Sequence, residues 1–295
     1  MPAFKNVLVG LDITKMDEKL IEYTAFLSKL IQPEKVCFLH VQHDPDLPES
    51  IRQTYPVLSE APDEQIRQRM EAQVQKHFSG SESTVLSFVV TAGVPSREIL
   101  REAGQQQSDL LIVGGKREGP DKGMTPQHLA HKAPCSLLFI PQDAPARIGH
   151  ILVATDFSPH SRRALAHAQA IARAVPGAVI RCQHVYSVPH GYFKTGLTEP
   201  EFAAVMHKNA ADDYEGFIAS FPEGSVTGEP LFTYNAGRKS PAVAIHEAAH
   251  RLGADLVVAG ARGLNAAAAF FLGSVADKLI QLDRDIPLLI VKNES

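Results

Sequence analysis

Tryptophan is absent from the 295 residues, and cysteine is scarce: Cys37, Cys135 and Cys182 are the only three. An odd count with no CxxC pair gives neither a disulfide framework nor a zinc knuckle. Cys37 and Cys182 stand inside apolar, strand-like runs and read as small buried hydrophobes. No apolar run reaches about 18 residues, so no transmembrane helix and no membrane partner are expected. The opening MPAFKNVLVGLD passes straight into a strand pattern, without an apolar signal core and cleavage site. A cytoplasmic location is the resulting expectation. Positive charge is not in excess either. Lys plus Arg is 29 against 33 for Asp plus Glu, a net charge of −4. That balance argues against a chain that wraps nucleic acid. A GxxxxGK[ST] phosphate loop and a GxSxG nucleophile elbow are both missing.

What the chain does have is a copy of itself. The segment Asn6–Asp12 (NVLVGLD) matches His150–Asp156 (HILVATD), and Val36–Val41 matches Ile180–Val185. Asp109–Gly114 (DLLIVG) matches Asp255–Gly260 (DLVVAG), and Ser136–Ile140 matches Pro287–Val291. The offsets are 144, 144, 146 and 151 residues. Four matched segments in one order at nearly constant spacing mean a tandem duplication. The length agrees with two domains of about 150 residues each. Pro141–His150 holds two prolines and a glycine between strand patterns and reads as a short, stiff linker. The expected domains are 1–142 and 148–295.

Short apolar runs alternate with helical patterns in each half. In the second half, Ile151–Thr155 reads as a strand. Ser158 and Pro159 supply an N-cap and a first helical residue for a helix to about Val175. Val179–Val185 is the next strand, and the Thr198–Glu201 capping box opens a helix to about Phe221. Glu229–Asn235 is a strand, Pro241–Leu252 a helix, Asp255–Ala259 a strand, Val275–Leu282 a helix and Leu288–Lys292 a last strand. Runs such as LLIVG are apolar at every position, as strands buried on both faces require. Strands of that kind joined by helical crossovers predict α/β domains. Each would be a doubly wound, Rossmann-like parallel sheet of five strands with helices on both faces.

In such a sheet a ligand crevice lies beyond the strand C-termini, where the strand order reverses. Thr155-Asp156, Val185-Tyr186 and the stretch after Ala259 fall there. That stretch reads Gly260-Ala-Arg262-Gly263, nine residues, then Gly273-Ser274-Val275. Gly273-Ser274 opens the final helix, whose free amides and dipole favour an anion. The pattern predicts a phosphate cradle of glycine and helix N-terminus.

The run Gly260-x2-Gly263-x9-Gly273-Ser274 after an Asp-Leu-Val-Val-Ala strand resembles the nucleotide motif of the universal stress protein family. The whole chain resembles its tandem members. The resemblance implies an adenine nucleotide alpha hydrolase-like fold and ATP in the second half, with Mg²⁺ or Mn²⁺ carried by the phosphates. It implies that Asp156 faces the adenine, flanked by Ala154 and Thr155, with Val185 lining the base pocket. Gly260 would lie under the ribose and first phosphates. Arg262, Gly263, Gly273, Ser274 and Val275 would surround the triphosphate. The resemblance also implies pairing of the two halves through their last strands, a pseudo-dimer within one chain, and leaves a homodimer of chains open.

The first half departs from this pattern. Gly114 matches Gly260, but no Gly-x9-Gly-Ser follows. Asp109 to Ser136 spans 27 residues where Asp255 to Pro287 spans 32. Pro126 stands where a helix should begin to offer amides, and proline has none. Lys116, Arg117 and Lys122 could still attract an anion. The expectation is a half that has lost ATP binding.

Other strings are weaker. His246-Glu247-Ala-Ala-His250 spells the HExxH of zinc proteases. Its helix covers a parallel sheet away from the crevice, its His residues fall at the margin of the apolar stripe, and no third ligand follows. It reads as a solvated helix face. His40 and His184 recur at equivalent strand ends and read as hydrogen-bonded residues of the sheet edge. Asp156, Ser158 and His160 are too close along one turn for a triad. Segments 44–78 and 186–221 are least constrained by pattern. Packing onto the sheet is the simple reading, and a lid or a partner surface is the other.

The functional expectation is an ATP-binding regulatory protein of the stress response with a protein partner. With no base beside the phosphate loop, hydrolysis or autophosphorylation at Ser274 would be very slow at most. The alternative is a scaffold that binds no nucleotide and acts through protein, other small-ligand or metal contacts.

Overall fold

The computed structural model describes residues 4–43, 50, 54, 64–79, 83–115, 126–222, 224, 226–237, 239–264, 272–282 and 285–292. The chain divides into two compact units between Ala146 and Arg147.

In the first unit the order is β1 (Asn6–Leu11), α1 (Lys15–Ile31), β2 (Lys35–His43), α2 (Glu64–His77) and β3 (Val85–Gly93). Then come α3 (Pro95–Gln105), β4 (Leu110–Gly115), α4 (Pro126–Lys132) and β5 (Ser136–Pro141). The strands lie in the order β3-β2-β1-β4-β5, all parallel. The second unit runs β6 (His150–Ala154), α5 (Pro159–Ala172), β7 (Val179–Tyr186), a 3₁₀ turn (Tyr192–Thr195) and α6 (Glu199–Ile218). It continues with β8 (Leu231–Tyr234), α7 (Pro241–Leu252), β9 (Leu256–Gly260), α8 (Ser274–Leu282) and β10 (Leu288–Val291). Its order is β8-β7-β6-β9-β10, again parallel. Both units are therefore doubly wound α/β domains, and the strand order reverses at β1/β4 and at β6/β9.

The apolar runs are the central strands, as sheets covered on both faces demand. Leu110, Leu111, Ile112, Val257 and Val258 are wholly buried. β3 and β8, each an outer strand of its own unit, are mostly half-buried. Proline opens α3, α4, α5 and α7, where its missing N–H costs nothing. Ser158 caps α5 by accepting the Ser161 N–H at 3.2 Å. Helix α5 stops at Ala172, three residues before Val175. There Val175 N–H turns back to Ala172 O in a tighter bond ahead of Pro176-Gly177. Likewise α6 ends at Ile218 rather than Phe221, whose N–H bonds Ile218 O.

The repeated Asp109 and Asp255 have one structural task. Asp109 accepts the N–H groups of Lys5 and Asn6 at 2.7 and 3.1 Å. Asp255 accepts those of Gly149 and His150 at 2.8 and 3.0 Å. Each carboxylate thus pins the start of the first strand of its own unit. Burial opposes ionisation of Asp255. The Gly149 N–H, Arg147 and the His150 N–H outweigh it and hold the carboxyl below the usual range.

All three cysteines are buried and free. Burial pushes the Cys182 thiol up to about 12, so it is inert as a nucleophile at neutral pH. Within segment 44–78, residues 44–49, 51–53 and 55–63 lie outside the described residues, and the remainder includes α2. Among the described residues no helix is long and apolar enough to cross a membrane.

One repeated position carries a pH dependence. Asp17 occupies in the first unit the place of Ser161 in the second, and it is fully buried. It accepts the Asp12 and Ile13 N–H groups at 3.0 and 2.8 Å. Burial nevertheless pushes its carboxyl up to about 6. The folded chain therefore binds a proton that the unfolded chain has released between roughly pH 4 and pH 6. The stability of the first unit is expected to fall as pH rises through that window. Asp17→Asn should flatten this slope in urea denaturation at pH 4, 5, 6 and 7. An unchanged slope in the variant would refute the assignment.

Candidate functional site

The loop after β6 and the loop after β9 meet at Asp156. Its Oδ1 accepts the Ser158 N–H at 3.1 Å, and its Oδ2 accepts the Leu264 N–H at 2.8 Å. Gly263 lies against the same oxygen. A Cβ there would stand 2.5 Å from Asp156 Oδ2. The first glycine after the motif's opening residue is thus a steric requirement, since any side chain would collide with the carboxylate that anchors the loop.

Gly273 closes the other end of the loop. Its N–H donates to Ala261 O at 2.7 Å, and a Cβ on it would lie 3.3 Å from that oxygen and 3.4 Å from Arg262 Cα. Ala261 N–H in turn donates to Val291 O. Gly260 is tight against α5, where a Cβ would meet the backbone carbon of His160 at 3.0 Å. The fold therefore brings Asp156, Gly260, Arg262, Gly263, Gly273 and Ser274 together beyond the β6/β9 strand ends. Helix α8 starts at Ser274. The first amides of a helix have no acceptor within it and carry the positive end of its dipole. The residues between 264 and 272 lie outside the described residues.

The remaining predicted residues sit around this center. Ala154 is buried in the sheet between Gln183 and Ala259. Thr155 is buried, its hydroxyl donating to Ser161 Oγ and accepting the Phe157 N–H. Its role is to hold the turn. Val185 is one strand further out, in register with Thr233 of β8. Val275 is half-buried in the first turn of α8.

Two contributors escape sequence reasoning. Phe157 follows Asp156 with φ +63°, and Ile13 follows Asp12 with φ +60°. Left-handed backbone at a bulky residue is costly and needs compensation. Phe157 finds it by stacking on His184, with ring centroids 4.5 Å apart, and by packing on Phe217. The turn aims Asp156 at the β9 loop. The signal was available only as a coincidence of two unremarkable residues at the 144-residue offset. His184 and His40 are anchored alike, Nδ1 to Thr155 O at 2.9 Å and to Leu11 O at 3.0 Å. Burial lowers the pKa of His40, favouring its neutral form.

In the first unit Asp12 accepts the Thr14 hydroxyl instead. Gly114 faces Met16, with a Cβ position 2.9 Å from Met16 Cγ. Lys116, Arg117 and Lys122 lie outside the described residues. The HExxH string forms α7, where His246 and His250 touch edge-on at 4.5 Å and Glu247 pairs with Lys239 at 2.6 Å. Among the described residues, the one grouping of three side chains spaced to hold a cation is Glu18, Glu22 and His77, far from this string in sequence.

Comparison with known proteins agrees with the architecture. The sequence model of the universal stress protein family matches residues 3–141 and again 147–292. A universal stress protein of Thermus aquaticus, from the 3′ region of a QAH/OAS sulfhydrylase, is 36% identical over 142 residues. The match takes in 48% of this chain and 97% of that one. The crystal structure of a universal stress protein from Archaeoglobus fulgidus has a TM-score of 0.62 at 18% identity, covering 99% of this chain and 97% of its own. A functionally unknown protein of Pseudomonas aeruginosa PAO1 has a TM-score of 0.64 at 15% identity, covering 99% and 94%. At those identities the two structures speak for the fold. With the family model matched twice across nearly its whole length, the chain is a tandem member of the universal stress protein family.

Proposed function

We propose that the second unit binds one adenine nucleotide, ATP with Mg²⁺ or Mn²⁺, and that the chain regulates a protein partner in the stress response through nucleotide occupancy. The observation that carries this reading is the contact of Gly263 and Leu264 N–H with Asp156 Oδ2. It sets Gly263, a position with no room for a side chain, beside a carboxylate at the strand-order reversal, with the N-terminus of α8 following in sequence. Gly260 and Gly273 are tight against the main chain around them. Such a cradle suits a group recognised by main-chain amides, as phosphates are.

The residues present fit the nucleotide. Asp156 has used two acceptor positions of about four, which leaves capacity for a base amino group. Gly263, Ser274 and Val275 would offer N–H groups to phosphates, Gly273, whose own N–H is held by Ala261 O, would let them approach the main chain, and Arg262 would add charge. Asp156 is the acidic group engaged at this loop, so a divalent ion would arrive with the phosphates and neutralise them. Asp277, in the first turn of α8, is the carboxylate nearest Ser274 in sequence, and no histidine lies in that helix; hydrolysis or autophosphorylation at Ser274 would be very slow. A regulatory output requires unequal affinity of the nucleotide for two conformations.

Isothermal titration of ATP with Mg²⁺ into the purified, nucleotide-free chain tests the proposal. Saturation at one site per chain is expected. Two sites would refute the loss of binding in the first unit. No heat from folded protein would overturn the nucleotide reading and leave a scaffold acting through other contacts.

A further inference from the structure

A second cleft opens in the same unit, beginning at Tyr186, the residue after Val185 on β7, and lined by none of the residues assigned to the nucleotide. It lies at the ends of β7 and β8 under the first two turns of α6, with a volume of about 440 Å³. That is the size range of small-molecule pockets. Tyr186 ends β7 and Tyr234 ends β8, and their rings lie 5.8 Å apart at 30°. His207 from α6 meets Tyr186 edge-on at 6.1 Å. Pro200 and Ala203 form an apolar side. Glu199, the first residue of α6, lies at this cleft and accepts the Tyr234 hydroxyl.

The lining contains a carboxylate, two tyrosine rings and the imidazole of His207, and neither lysine nor arginine. Aromatic faces are electron-rich and attract cations, most strongly where several rings meet. A carboxylate beside them adds charge of the same sign. Anionic ligands, nucleotides included, are disfavoured here. The hydrogen bond to Glu199 pushes the Tyr234 hydroxyl up to about 12, with burial and the nearby Tyr192 and Tyr186 adding to it. At neutral pH the phenol is therefore protonated and keeps Glu199 turned toward the rings.

We propose that this cleft binds an organic cation, an alkyl- or arylammonium whose head rests on Tyr186, Tyr234 and Glu199 and whose apolar body lies along Pro200 and Ala203. The site is independent of the nucleotide reading, since it shares none of the residues assigned to ATP.

The test uses the full chain with selectively ¹³C-labelled tyrosine. The probes are benzyltrimethylammonium and its uncharged carbon isostere, neopentylbenzene, titrated without nucleotide. The expected result is saturable shifts of the Tyr186 and Tyr234 ring signals by the ammonium, with at least a tenfold preference over the isostere. Glu199→Gln keeps the size of the side chain at an exposed helix start and should cut that preference at least fivefold. Tyr234→Phe keeps the ring, frees Glu199 and should weaken the ammonium less than Glu199→Gln does. Equal binding of both probes, an undiminished preference in Glu199→Gln, or no shift of either tyrosine by the ammonium would overturn the proposal. Loss of ATP binding elsewhere in the unit would leave these outcomes unchanged, so failure of one reading is distinguishable from failure of the other.

Discussion

Gly263→Val is expected to weaken ATP binding by at least tenfold while leaving the chain folded. Even the first atom of the new side chain would stand 2.5 Å from Asp156 Oδ2, well inside contact distance. Either the carboxylate swings away or the loop lifts off. Both break the bond from Leu264 N–H to Asp156. A hydrogen bond to a charged group contributes about 1.5–3 kcal/mol, which corresponds to roughly a ten- to hundredfold change in affinity. The strain falls on a loop outside the sheet, so the core strands are not disturbed. Asp156→Ala removes the same bond from the other side. The two substitutions should therefore be non-additive, the double variant binding ATP no worse than the weaker single one. Titration calorimetry on the three variants, with circular dichroism as the folding control, measures this. Full additivity would mean that glycine and aspartate act on the nucleotide separately, and the loop–carboxylate contact would not be the organising feature of the site.

The contrast between strands and loops explains what could be read from residues alone. Duplication, strand order class and the proline-opened helices follow from local pattern, because a doubly covered strand must be apolar throughout and a helix start tolerates proline. The glycines at 260, 263 and 273 were legible as a spacing. Their reasons were not, since each depends on an atom brought in by the fold: His160, Asp156 and Ala261. The paired left-handed residues Ile13 and Phe157 gave no signal either, because isoleucine and phenylalanine are poor candidates for that conformation. The cleft at Tyr186 and Tyr234 unites residues 48 positions apart that carry no motif. Only register across β7 and β8 places them side by side.

The paired glycines Gly260 and Gly114 offer the other large effect, on stability rather than binding. Gly260 is the last residue of β9 and Gly114 the last but one of β4, and both face the first helix of their unit. At Gly260 an added Cβ meets main-chain atoms of His160, the carbonyl carbon at 3.0 Å and the oxygen at 3.1 Å. Backbone in the first turn of α5 can yield only if the helix shifts against β9, so Gly260→Ala is expected to cost about 1–3 kcal/mol. At Gly114 the obstacle is the Met16 side chain, at 2.9 Å from Cγ and 3.1 Å from Cε. Methionine has three rotatable side-chain bonds and repacks cheaply. Gly114→Ala should therefore cost the smaller amount, although its closest contact is nominally the shorter. Amide hydrogen exchange resolves each unit separately, which a single melting curve of a two-domain chain does not. The slowest amides of β6 and β9 should lose protection in Gly260→Ala by roughly a factor of 5 to 150, the equivalent of that cost. Those of β1 and β4 in Gly114→Ala should lose less. A reversed order would mean that the buried methionine is the stiffer neighbour, and that the helix, not the side chain, is the part of this fold that gives way.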